Sequence, residues 1–302
     1  MSAVKVIICV FSFNRGQFLE NCVHSIEQCA PDAKIAVFDD DSTDTATRET
    51  LDCIAKTHAV IQPGKTSHHK LGGLYGNMQC ALEYARNEDI VCFLQDDMQI
   101  VRPIDASDVQ AIDAAFNRDE DLAFLHPCFL KGCNRSRDAQ SLRFDSSFNA
   151  YFRSRTSQSA GQHFSAVLLA RPARLLERQW VFSGSEPEND QQARALFSRI
   201  GHLHAPFAMW LPEVPAYRGK RKTLALRLAE RRRCCGFFPY KIMTAPQVLA
   251  LKSRPPEILP VAEDFLQCAN TDIPKPWSYY PMQGSRWLKK LGSLELALRR
   301  YF

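Results

Sequence analysis

Apolar and polar positions along the first hundred residues switch repeatedly between a strand period and a helix period. Val4–Phe13 is a continuous apolar run, as in a parallel strand covered on both faces. Phe18, Cys22, Ile26 and Cys29 then recur at helical spacing and stop before Pro31. Lys34–Phe38 predicts a second strand that runs into the acidic turn Asp39–Asp44, where Ser42 or Thr43 can cap a helix reaching about Thr57. Ala59–Gln62 predicts a third strand, the polar loop PGKTSHHKLGG follows, and a helix is expected over Tyr75–Arg86. Asp89–Leu94 predicts a further strand that stops at QDDMQ. This βαβαβαβ order argues for an α/β fold with an open, mostly parallel sheet and helices on both faces. Ligands of such sheets bind just beyond the C-terminal ends of the strands. Both acidic clusters, Asp39–Asp41 and Asp96–Asp97, fall there.

The rest of the chain is less regular. Ala106–Asn117 reads as a helix and Leu122–Leu125 as a strand. Lys131–Gln162 is polar and reads as a long loop or insertion. Phe164–Ala170 predicts a strand, and Asp190–Ile200 a helix with Gly201 at its end. Beyond Arg218 the pattern becomes a basic helix, a proline-rich connector and a final helix. No repeat with a period of about 20–50 residues is present.

Composition narrows the classes. The 302 residues carry 38 Lys+Arg against 33 Asp+Glu, but residues 201–302 hold 17 of the former and only 7 of the latter. The first two hundred residues are therefore net acidic and the last third strongly basic. With 45% hydrophobic residues the chain is not disordered. No apolar run reaches the roughly 18–20 residues that span a bilayer. The N-terminal apolar run is followed by NRGQ and not by small residues suited to cleavage, so it reads as a buried strand. Of the 11 Cys none forms a CxxC pair, and several fall in apolar runs, which suits reduced core thiols in a cytoplasmic protein. His126, Cys128 and Cys133 lack a second ligand pair at finger-like spacing, which argues against zinc.

Three acidic constellations carry candidate chemistry. In FDDDSTD an EF-hand fails, because the sixth position is Asp44 and the twelfth Thr50. Helix capping accounts for one or two of its acids. Three in succession also suit a nucleoside, whose imide N–H and ribose hydroxyls a carboxylate accepts. In FLQDDMQ, Asp96 and Asp97 form either a solvated turn or a site where one acid holds a divalent cation while the other fixes water or a sugar hydroxyl. In SEPENDQQAR, Asn189 or Asp190 caps a helix, or a carboxylate is a general base. His68-His69 beside Lys65 and Lys70 can meet phosphate or form a solvated loop. Trp210 can stack on an acceptor sugar or fill the core.

Taken in order, these motifs resemble family 2 glycosyltransferases of the GT-A fold over roughly residues 3–215. Phe13-Asn14-Arg15 is similar to that family's strand-end pair, and Asp39–Asp44 to its DDGSxD turn, with Asp41 in place of Gly. Lys70–Asn77 is similar to its Asn/Gly-rich segment, and Gln95-Asp96-Asp97 to its DxD element, with Gln as the first member. Asn189-Asp190 is similar to its Glu-Asp element. The resemblance implies an inverting transferase that uses a nucleotide-sugar donor, uridine-based, with Mn²⁺ or Mg²⁺ as cofactor. It implies that Asp39 and Asp40 contact the nucleoside, with Phe13, Asn14, Arg15, Gly73 and Asn77 on the same side. Asp97 would ligate the cation, Asp96 would face ribose or sugar, and Asp190 would be the base, with Glu188 as the alternative. The acceptor would be a hydroxyl of a glycan or glycolipid. A histidine that many relatives carry beyond the base helix has no counterpart, the last histidines being His202 and His204. Two rival readings are a catalytically weakened scaffold of the same fold and a nucleotidyltransferase of related fold. The latter needs a GxGxR-like loop after the first strand, and FSFNRGQ lacks it.

The expected organisation is a transferase domain over 1–215, with a nucleotide-sugar half (1–120) and an acceptor half (121–215). A basic, mainly helical extension follows over 216–302. Within 220–233, Leu224, Leu228 and Ala225 form a narrow apolar stripe among seven basic residues. Within 285–302, Trp287, Leu291, Leu294, Leu298 and Tyr301 share a face flanked by Arg286, Lys289, Lys290, Arg299 and Arg300. Such helices lie on an anionic membrane surface, here the inner face, or dock on the core with a solvated basic side; both readings stand. Nucleic acid is not expected as a partner, since no helix-turn-helix, RNP or finger signature accompanies the charge.

Overall fold

A computed structural model describes residues 4–62, 73–154, 161–216, 222–269 and 273–299. The first strand shows why the opening run is apolar throughout. In β1 (Val6–Ser12), Ile8 and Val10 point into one core layer, while Ile7, Cys9 and Phe11 point into the other. Helices α1 (Gly16–Cys29) and α2 (Thr45–Ile54) cover the first face. Helix α3 (Leu74–Tyr84) covers the second through Met78, Ala81 and Leu82. Strands β2 (Lys34–Asp39), β3 (Ala59–Ile61) and β4 (Ile90–Gln95) complete a parallel quartet in the order β3-β2-β1-β4. The expected order of elements is thus present. The carboxyl ends of β1, β2 and β4 deliver Asn14, Asp39 and Asp96 to one edge.

A short strand, β5 (Met98–Ile100), and helix α4 (Ala106–Arg118) lead to β6 (Leu125–His126), which is shorter than the strand predicted over Leu122–Leu125. The segment 131–162, expected to be a loop, instead contains α5 (Arg135–Ser141), β7 (Leu142–Asp145) and β8 (Ala150–Arg153). Its polar composition hides a buried ion pair: Arg153 donates to Asp138 at 3.0 Å and to Ser141 Oγ at 2.9 Å. Next come β9 (Leu168–Ala170), α6 (Pro172–Glu177), α7 (Glu186–Leu196), β10 (Gly201–Leu203) and β11 (Ala208–Trp210). The large sheet runs β3-β2-β1-β4-β9-β6-β10-β8-β7, and within it only β9 and β8 oppose the common direction. β11 pairs antiparallel with β5, with Trp210 opposite Met98.

Two predicted helix starts move for local reasons. Asp44, not Ser42 or Thr43, caps α2, its carboxylate accepting from Thr47 N at 2.9 Å. Ser42 is already engaged with Asp39, and the Thr43 N–H with Asn14. Helix α7 starts at Glu186, with Ser185 at its N-cap and Pro187 in the first turn, where no amide donor is needed. Asn189 is no cap; it is fully buried and binds the carbonyls of Ser183 and Ser185.

Helices α8 (Leu224–Arg232), α9 (Ala245–Ser253), α10 (Ala262–Phe265) and α11 (Arg286–Leu298) complete the chain. Tyr240, Met243, Leu251, Leu266 and Trp277 join the main core layer. Buried Gln99 clasps Tyr240, donating to its carbonyl at 2.8 Å and accepting its N–H at 2.9 Å. All eleven cysteines are free, with Cys9, Cys22, Cys29, Cys92 and Cys128 buried. Among the described residues no helix is long and apolar enough to cross a membrane. Lys65, His68, His69, Lys70, Leu71, Gly72, Lys220, Arg221, Arg300 and Tyr301 lie outside the described residues.

Candidate functional site

The first strand ends in a knot centred on Asn14. Its backbone is left-handed (φ 51°), its N–H donates to Ser42 Oγ at 2.9 Å, and its Oδ1 accepts the N–H groups of Thr43 and Asp44 at 2.8 and 2.9 Å. The side chain thereby ties the end of β1 to the acidic turn after β2. Asp39, 1% exposed, closes that turn by accepting from Ser42 N and Oγ at 2.8 and 2.6 Å. Asp41 takes φ 59°, the region glycine enters freely and Asp or Asn enters at low cost. That explains how Asp replaces Gly there without loss of the turn.

Asp40 faces the next element. Its Oδ2 accepts the N–H of Gly73 at 2.9 Å, at the foot of α3. A Cβ on Gly73 would stand 1.6 Å from Asp40 Oδ1, so only glycine permits this approach. Burial raises the Asp40 pKa, opposed by the Gly73 N–H and reinforced by Asp39 and Asp41. Asn77, in the first turn of α3, is buried and leaves its Nδ2 without a partner.

The carboxylates after β4 are bridged by one arginine, and a backbone amide fixes the first of them. Asp96 Oδ2 accepts the N–H of Phe13 at 3.0 Å. Arg15 Nη1 binds Asp97 Oδ2 at 2.6 Å and lies 3.5 Å from Asp96 Oδ1. Burial pushes the Asp96 carboxyl up to about 7, against the pull of Arg15 and with the push of Asp97. Arg15 itself is raised: burial lowers it, but the attraction of Asp97 and Asp96 prevails. Asp97 Oδ1 is buried and has no hydrogen-bond partner. An orphaned carboxylate oxygen beside a second carboxylate fits a hard divalent cation. Among the described residues no group of three His, Cys, Asp or Glu could hold a metal, so further ligands would come from phosphate oxygens and water.

Lys131, which lies within the field of Asp97, is a residue that sequence reasoning missed. Its Nζ lies 3.9 Å from the centroid of the Trp210 ring and 5.0 Å from that of Tyr279. No carboxylate lies within ion-pair distance of it among the described residues. Burial lowers its pKa, opposed by the fields of Cys128, Cys133, Asp97 and Glu186. Trp210 Nε1 reaches Gln95 Oε1 at 3.5 Å, which sets its indole beside the end of β4. Behind it His126 and His202 lie with ring centroids 5.1 Å apart. Burial, Lys131 and Arg153 push His126 down to about 3, and burial with His126 pushes His202 well below the usual imidazole range.

Helix α7 brings the remaining acids. Asp190, 8% exposed, accepts with Oδ1 from the N–H groups of His163 and Phe164 at 2.8 and 3.1 Å, while Glu188 stands exposed to solvent. No hydrogen bond or ion pair joins Asp190 to Asp97 among the described residues. The electrostatic link runs through Glu186, which feels both Lys131 and Asp190, and through Lys131, which feels Asp97. Glu186 is exposed as a residue, yet its carboxyl end is lifted by burial, opposed by the Ala166 N–H and Lys131 and reinforced by Asp190. Its signal in the sequence was the acid-Pro start of the helix.

The arrangement is a parallel-sheet edge with two acidic turns, an arginine bridging the paired acids and a lysine stacked on Trp210 within the field of Asp97. The profile of "Glycosyl transferase family 2" matches residues 7–162, and the chain belongs to that family. Among curated proteins none matches the chain at the sequence level. Among solved structures it is similar to S. aureus TarS 1-349 in complex with UDP-GlcNAc (16% identity, TM-score 0.46, 74% of this chain and 61% of that one). It is also similar to the mannosyltransferase PcManGT from Pyrobaculum calidifontis in complex with GDP-Man and Mn²⁺ (15%, 0.45, 98% and 75%). A third is glucosyl-3-phosphoglycerate synthase from Mycobacterium tuberculosis in complex with Mn²⁺, UDP and phosphoglyceric acid (15%, 0.41, 83% and 80%). The chain thus spans 61% of the length of the TarS structure.

Proposed function

We propose that the chain transfers a sugar from a nucleoside-diphosphate sugar, a UDP-sugar, to a hydroxyl acceptor with inversion at the anomeric carbon. The observation that carries the reading is the orphaned Asp97 Oδ1, set beside Asp96 at the end of β4 and next to the Asp39–Asp40 turn. Asp40 and the unpartnered Asn77 amide suit the nucleoside end of the donor, with Asn14 and Phe13 fixing the turn and strand end that carry it. Asp97, with Asp96, would hold Mn²⁺ or Mg²⁺, which when bound neutralises negative charge on the diphosphate. Arg15 holds the two acids in place and offers a guanidinium to phosphate oxygens. Lys131, half-buried against Trp210 and Tyr279 with no carboxylate in ion-pair distance among the described residues, adds positive charge within the field of Asp97. Asp190 is the group assigned to take the acceptor's proton, its second oxygen being free of protein hydrogen bonds among the described residues. Glu188, exposed, and Glu186, lifted by burial, are its competitors for that role. The acceptor is a glycan or glycolipid hydroxyl that enters past Trp210.

The test is thermal stabilisation by uridine and guanosine diphosphates, with and without Mn²⁺. A ligand at about a hundred times its Kd adds about 2.7 kcal/mol, which is readily seen. A rise in Tm that needs both nucleotide and metal and vanishes in Asp97→Asn is expected. No shift with any nucleotide would end the donor-site reading and leave a non-catalytic scaffold of the same fold.

A further inference from the structure

We propose that α8 and α11 together form a single docking face for an anionic lipid surface. The two helices are antiparallel. The N–H of Leu224, at the start of α8, donates to Glu295 near the end of α11 at 2.7 Å. Arg233, just past α8, donates to the carbonyl of Gln283 before α11 at 2.9 Å. Ala225 and Ala229 meet Leu288 and Gly292 along the seam.

Successive helical residues advance by about 100°. Leu224 and Leu228 therefore lie about a quarter turn from the seam of α8. Trp287, Leu291, Leu294 and Leu298 lie about a quarter turn from the seam of α11, in the same rotational sense. In an antiparallel pair, equal rotations of one sense place both stripes on one side. All six side chains are between 48% and 68% exposed. The two stripes make one apolar strip that nothing covers among the described residues.

Charge selects the occupant. Arg227 and Arg231 border the strip along α8, and Arg286 and Lys290 border it along α11. The only acids of the two helices turn away from it. Glu230 binds Lys222 Nζ and the Ala216 N–H, each at 2.8 Å, and Glu295 lies at the seam, bound to Leu224 N–H and Arg299. A second copy would bring two basic rims together, which like charge opposes. An anionic bilayer accepts the apolar side chains at its acyl boundary and the guanidinium and ammonium groups among its headgroups. Neither helix is long enough to cross it, so the pair lies in the interface.

The strip is joined to the candidate site by one short run. Leu211 N donates to the Asp97 carbonyl at 2.9 Å, Arg15 reaches the Pro215 carbonyl at 3.5 Å, and Ala216 N binds Glu230 of α8 at 2.8 Å. Vesicle flotation of the full chain tests the proposal. Wild type is expected to float with phosphatidylcholine–phosphatidylserine vesicles at low salt, to release as salt rises, and to stay down with phosphatidylcholine alone. The surface variant Leu228→Asp/Leu291→Asp/Leu294→Asp is expected to lose at least about tenfold of that partitioning. An unchanged circular-dichroism melt would show that it folds, and Arg227→Glu/Lys290→Glu, which spares every leucine, is expected to weaken binding in the same direction. Flotation that ignores serine lipid, or variants that float like wild type, would overturn the proposal. So would sedimentation showing a dimer that the leucine variant dissolves while no vesicle binds.

Discussion

Asp190 and Asp96 are both buried carboxylates, and they are used differently. Asp190 spends one oxygen on the amides of His163 and Phe164, which fixes its orientation. Asp190→Asn keeps those bonds available, so donor stabilisation should persist while turnover falls roughly 10²–10⁴-fold, the usual worth of a general base. Turnover close to wild type in a transfer assay would move the role to Glu186 or Glu188. Asp96 gives a pH signature. Its folded carboxyl titrates at about 7 against an ordinary 3.8, so between those values the folded chain binds a proton that the unfolded chain has released. That contribution is complete below the lower value and is lost as pH rises through the upper one. Urea midpoints should therefore fall more between pH 5 and 8 in wild type than in Asp96→Asn, and parallel profiles would refute the raised value.

At the scale of elements, helix α1 leans on α2 through a glycine. A Cβ on Gly16 would sit 2.8 Å from the Ala46 carbonyl oxygen and 2.9 Å from Thr47 Cα, and the Gly16 N–H donates to Thr47 Oγ1 at 2.8 Å. Gly16→Ala must push the helices apart and should cost about 1–3 kcal/mol in chemical denaturation. A neutral result would mean that α2 yields freely. This pair also shows how far the sequence could be read. The apolar period of α1 and the strands around it were visible because each face is buried against its own layer. The start of α2 was not, because the Ser42 hydroxyl, a good cap by type, is taken by the Asn14 N–H from the end of β1 and by Asp39, and Asn14 draws in the Thr43 and Asp44 amides, leaving Asp44 to cap. Likewise 131–162 read as a loop because Arg153 and Asp138 look solvent-loving until they meet each other. Composition cannot report a partner that only tertiary structure supplies.

For the whole molecule, the same limit separates the acids of the site from its lysine. The acids after β2 and β4 were legible, since a strand's end is a local signal and its position on a parallel sheet follows from the element order. Lys131 was not, because nothing in its neighbourhood marks a lysine that will lie on Trp210 and Tyr279 from distant parts of the chain. The division of charge along the sequence also takes on a shape. Asp39–Asp41 and Asp96–Asp97 of the acidic part gather at a sheet edge, and the basic last third includes the rim of an apolar strip, with residues 211–216 running between them.

Docked on lipid as proposed, that strip would change the dimensionality of the search for an acceptor. A protein free in solution meets an acceptor at a rate set by bulk concentration. One held by Leu228, Trp287 and Leu291 at the boundary where a lipid-linked acceptor also resides moves in two dimensions. Turnover on such an acceptor would then follow its mole fraction in the surface, and diluting the vesicles at constant composition would leave the rate per bound molecule unchanged.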